Sequence, residues 1–62
     1  MLLIIDAGYF YAGSIWEYRE GNLICVRAAP IIKWLIGKEY EPLRSYFDKK
    51  KWHVFWFTSS SS

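Results

Sequence analysis

The chain opens on an unbroken apolar run. Residues 2–5 read Leu-Leu-Ile-Ile and are closed by Asp6, Ala7 and Gly8. Continuous rather than alternating hydrophobicity is the pattern of a strand buried on both faces, as in a parallel sheet. Gly8 permits a tight turn directly after it. Residues 9–18 are rich in aromatics, with Phe10, Ser14 and Tyr18 on one helical face and Ile15 beside them. That spacing predicts a short helix, which Gly13 weakens by about 1 kcal/mol relative to Ala. Arg19-Glu20-Gly21-Asn22 is a turn signal. Residues 23–26 fit a short strand or an extended connector. Residues 28–38 predict a helix: Ile31, Trp34 and Leu35 make an apolar stripe at i, i+3, i+4. Pro30 suits its first turn, where a missing N–H costs nothing, and Gly37 marks its end.

Pro42 breaks that pattern. Residues 43–47 alternate in part, with Leu43, Ser45 and Phe47 on one face and Arg44 and Tyr46 on the other. They predict a second strand that closes on Asp48, as the first closes on Asp6. Residues 52–58 alternate more clearly. Trp52, Val54, Trp56 and Thr58 stand opposite His53, Phe55 and Phe57, the pattern of a third strand. Residues 59–62 are four serines, expected to be a disordered polar end. The element order predicts an α/β fold: a partial parallel sheet with strand-helix-helix-strand order and a right-handed crossover.

Composition changes this picture in two ways. A chain of 62 residues is one domain at most, and a domain of this size buries only about 60% of its unfolded surface. Yet 53% of the residues are hydrophobic and 21% are aromatic. That is more apolar surface than so small a chain hides, so self-association or a partner chain is expected to cover the remainder. No covalent staple relieves the shortage. Cys25 is the single cysteine and reads as a small buried hydrophobe, and no Cys/His cluster suits zinc. One lone thiol fits a reducing compartment. No stretch approaches the ~20 apolar residues of a membrane-spanning helix, and no secretory pattern opens the chain, so the cytoplasm is the default expectation.

The net charge of +2 is too small to argue for nucleic-acid binding by itself. Positive charge is concentrated only at Lys49, Lys50 and Lys51, ordinarily a solvated loop. Candidate chemistry therefore begins at the carboxylates. In open parallel sheets, ligands bind beyond the carboxyl ends of the strands. Asp6 takes that place, and Asp48 joins it if the second strand runs parallel beside the first. Two such acids suit a hard divalent cation, which activates water against a phosphodiester. The ordinary readings stand beside this one. Asp6 is also a natural turn former or helix cap, and Asp48 a solvated acid beside its counter-charges. His53 is the only histidine and reads as structural or solvent-facing. Residues 8–13 lack the glycine spacing that cradles phosphate. Tyr9, Phe10 and Tyr11 are either core and rim of a small domain or a surface for stacking bases. Trp52 and Trp56 beside the lysines suggest a basic-aromatic surface with salt-dependent nucleic-acid binding. On an exposed sheet edge the same residues favour aggregation.

Residues 3–12, Leu-Ile-Ile-Asp-Ala-Gly-Tyr-Phe-Tyr-Ala, resemble the opening of the NYN domains. These are PIN-like, metal-dependent ribonuclease domains built on a parallel α/β sheet. In them the first strand typically ends in Asp, a small residue and Gly. More loosely, residues 31–35 look like the helix before the second strand, and residues 41–48 like that strand and its terminal acid. The resemblance implies that Asp6 is a catalytic, metal-binding acid and that Asp48 lies near the cleft. It also implies Mg²⁺ or Mn²⁺ as cofactor and RNA as partner. The candidate nucleic-acid contacts come from the residues themselves: Tyr9 from the aromatic run, and Lys49, Lys50 and Lys51 from the basic-aromatic stretch. Many NYN members carry Asn where this chain has Tyr9. The likeness covers residues 1–48 and stops at the lysine run, leaving residues 49–62 as a divergent tail without the family's later acids. The expectation is a truncated or frame-shifted NYN reading frame, inactive alone as a ribonuclease. The alternative is a small non-catalytic module that binds nucleic acid or protein.

Overall fold

The computed structural model describes residues 1–58; the serine run at 59–62 lies outside the described residues. Two tight turns set the backbone. At the first, Gly8 has φ +90°, and the Ala7 N–H donates to the Phe10 carbonyl at 3.0 Å. A two-residue loop of this kind matches the right-handed twist of paired strands. It folds β1 (Leu2–Asp6) antiparallel onto β2 (Tyr11–Arg19). At the second, Glu20 and Gly21 have φ of 54° and 86°. Positive φ at both central positions is the other favoured hairpin geometry. It joins β2 to β3 (Asn22–Ala28), whose ladder shifts register between Ile15 and Trp16 on β2.

A 3₁₀ helix (Pro30–Leu35) and α1 (Tyr40–Lys49) then cross one face of the sheet, and β4 (His53–Phe57) returns antiparallel on the far side of β1. The strand order is β3-β2-β1-β4, and every pairing is antiparallel.

This overturns the expected α/β fold with a parallel sheet, strand-helix-helix-strand order and PIN-like outline. Each difference has a local cause. β1 is an inner strand with helices on one face only. Leu3 and Ile5 are fully buried, whereas Leu2 and Ile4 are half-buried on the other face. Apolar residues on an uncovered face produce the same unbroken run as two covered faces. Residues 11–19 form a strand, not a helix. Ala12, Ser14 and Trp16 alternate inward, but two of the three are small, and that hid the period of two.

The expected helix at 28–38 contracts to six residues. It is kinked at Ile32, whose φ of −120° is not helical, and Ile32 and Leu35 are its buried residues. Ile31 and Trp34 face outward. Residues 43–47 lie in α1 rather than in a strand. Pro42 sits in its first turn, where no intrahelical N–H bond is needed. The buried pair Leu43 and Phe47 is four residues apart, a spacing that helical and strand periods share. The turn at 19–22 and the alternation of residues 53–57 are as the sequence indicated.

The core lies between the sheet and the helical layer. Trp16 is its centre, fully buried and edge-on to Tyr40 at 5.6 Å. Its Nε1–H donates to Ser14 Oγ at 2.8 Å, and that hydroxyl donates to the Leu3 carbonyl at 3.1 Å. Ser14 is the single buried polar residue among those described, and it closes the circuit on both sides.

Candidate interaction surface

The two candidate carboxylates do not share a cleft. Asp6 accepts the Gly8 N–H at 3.0 Å, which stabilises the β1–β2 turn as an Asp turn former does. By alternation its side chain belongs to the sheet face away from the helices. Asp48 lies on α1, on the covered side, and lines an open groove of about 410 Å³ with Glu41, Arg44 and Trp52. The fold is the reason: Asp48 stands on α1 and not at the end of a strand parallel to β1. Among the described residues, no group of three or more His, Cys, Asp or Glu side chains is placed to hold a metal ion.

Lys49, Lys50 and Lys51 form the end of α1. The Lys51 N–H donates to the Asp48 carbonyl at 3.1 Å, and the Trp52 N–H donates to the Phe47 carbonyl at 3.0 Å. Lys51 itself has φ 60°. This bond pair around a left-handed residue is the Schellman cap. Its usual apolar contact is also present: the Trp52 and Phe47 rings stack at 5.9 Å and 23°. Cations here also complement the helix dipole, and Lys50 Nζ sits 5.7 Å from the Tyr46 ring centroid. The lysine run thus has a structural role that does not require nucleic acid.

Tyr9 is the most exposed of the large apolar side chains, at 78%. It tips the β1–β2 turn and reaches the lysines through a ring chain, Tyr9 to Phe10 at 5.0 Å and Phe10 to Trp52 at 5.3 Å. Trp56 is not part of any such surface. It faces the core, 5.0 Å from Tyr40 and 6.1 Å from Trp16. Cys25 is buried, its Sγ–H directed at the Arg27 carbonyl at 3.3 Å. Burial pushes its thiol pKa up, which disfavours the thiolate needed by a nucleophile.

The feature that sequence reasoning missed is the open face of the sheet. The cross-strand register places Ile15, Leu2 and Phe57 in one row and Gly13, Ile4 and Phe55 in the next. Tyr11, Asp6 and His53 form a polar row at one end. Phe55 is 46% exposed and Phe57 54%, although both lie in a regular strand beside apolar neighbours. No helix covers this face among the described residues. The signal was present in the sequence: apolar side chains stand on both alternation sets of β1 and β4.

No protein-family model, curated protein or solved structure matches the chain. No helix among the described residues is long and apolar enough to cross a membrane.

Proposed function

We propose that the chain is a non-catalytic interaction module that docks a partner protein on the open face of its sheet. The observation that carries this is the continuous apolar surface of Leu2, Ile4, Ile15, Phe55 and Phe57 on three adjacent strands, uncovered by either helix. A sheet with an apolar face gains by burying it against another layer. Contiguous apolar patches on small proteins mark interaction sites more often than scattered single residues do. Other exposed hydrophobics, such as Ile31 and Ile36, are on the helical side and form no comparable row across strands.

The ribonuclease reading draws no support from this arrangement, because its two acids lie on opposite sides of an antiparallel sheet. The nucleic-acid reading rests on Tyr9 and the lysines, and the lysines already close a helix.

A photo-crosslinking residue in place of Ile15, on the open face, is compared with one in place of Ser45, on the outer side of α1. In cells producing the full chain, covalent protein adducts are expected from position 15 and few from position 45. Equal yields from both, or none from position 15, contradict the proposal.

A further inference from the structure

The two edges of the sheet differ. The outer edge of β3 is sealed by the segment before α1. Cys25 N–H donates to the Lys38 carbonyl at 3.1 Å, Gly37 N–H donates to the Cys25 carbonyl at 2.8 Å, and Ile24 bridges to Glu39. The outer edge of β4 has no such cover among the described residues. It also lacks the devices that blunt natural edges, namely lysine, proline or a bulge; its sequence is His-Val-Phe-Trp-Phe.

The bonding pattern identifies which groups stay free. Trp16 N–H donates to the Met1 carbonyl at 2.8 Å and the Met1 amino group donates to the Trp16 carbonyl at 2.9 Å. Ala7 bonds Phe10 at the other end. Antiparallel ladders alternate bonded and non-bonded pairs, so odd residues of β1 bond to β2 and even residues bond to β4. The pairs Leu2–Phe57, Ile4–Phe55 and Asp6–His53 then engage the backbone groups of His53, Phe55 and Phe57. The N–H and C=O of Val54 and Trp56 point outward, away from the sheet.

We infer that β4 is a dimerisation edge that pairs antiparallel with β4 of a second copy about a two-fold axis at Phe55. This goes beyond the open-face reading and does not depend on it. The strand is complementary to itself. Centred on Phe55, each Val54 meets Trp56 of the second copy as a bonded pair, the two Phe55 side chains meet on the open face, and His53 meets Phe57. Every residue keeps its own face, as a shared core side requires. With His53 neutral the strand carries no charge, so no like charges meet across the axis. The sealed β3 edge bars head-to-tail addition of β4 to β3 of the next copy, which would give filaments. The β4-to-β4 contact is isologous and closes as a dimer.

The test follows amide exchange of the isotope-labelled full chain at two concentrations, with sedimentation alongside. Between tens of micromolar and about one millimolar, the Val54 and Trp56 amides are expected to slow by about tenfold or more as twice the chain mass appears. Val54→Pro removes an outward N–H but no bond of its own ladder, so it is expected to keep its strand circular dichroism and sediment as a monomer. Should that variant fail to fold, a synthetic chain with an N-methylated Val54 amide blocks the same outward N–H while keeping the valine side chain, and is expected to be monomeric. Equal, fast exchange of both amides at both concentrations overturns the inference. So does a dimer that persists in Val54→Pro but is lost in Ile15→Lys, which would place the second copy on the open face and leave the docking proposal standing.

Discussion

Ser14 shows how much one hydroxyl contributes in a core this small. It accepts from the Trp16 indole and donates to the Leu3 carbonyl, tying the largest buried ring to the central strand. Ser14→Ala leaves the buried Trp16 N–H unpaired, and an unsatisfied buried donor costs about 1–3 kcal/mol. Chemical denaturation is expected to show a loss of that size with an unchanged m-value. A loss under a few tenths of a kcal/mol would mean that water or another acceptor serves the indole. Asp6 is the other instructive residue. Its position after a strand was legible in the sequence, and so was its capacity to form a turn. What the sequence did not supply was the direction of the neighbouring strands, on which the metal reading depended.

The end of α1 argues the same point for a whole element. Three lysines in a row read as a solvated loop, yet they hold the last turn, the cap and the left-handed residue of a helix. Lys51 occupies the position that glycine usually takes in a Schellman cap, and an L residue there is strained. Lys51→Gly is therefore expected to stabilise the fold by about 0.5–1 kcal/mol after glycine's own entropy is counted. Thermal unfolding checks it; a lower midpoint would contradict the cap. β1 was marked as a strand by its apolar run, and residues 23–26 fitted either a strand or a connector; β4 and the 19–22 turn were readable because alternation and turn chemistry are local. The helix α1 was not, since Leu43 and Phe47 satisfy both periods. The strand β2 was not, because Ala12 and Ser14 carry too little hydrophobicity to mark an inward face. Those two elements are what separate the antiparallel sheet from the parallel crossover that the sequence predicts.

At the scale of the molecule, the shortage seen in the composition takes a definite place. One helical layer covers one sheet face, and among the described residues no second layer covers the other. The excess apolar content is thus divided between an open face and an open edge, whereas the β3 edge is sealed by Gly37, Lys38 and Glu39. The same shortage was visible as a percentage in the sequence, but its location depended on strand order. The central claim, one covered face and one bare face, is tested most directly by carbene footprinting of the dilute full chain. The account predicts heavy labelling of Ile15 and Phe57 and little of Leu3, Ile5 and Phe47. Comparable labelling of the two groups would contradict it.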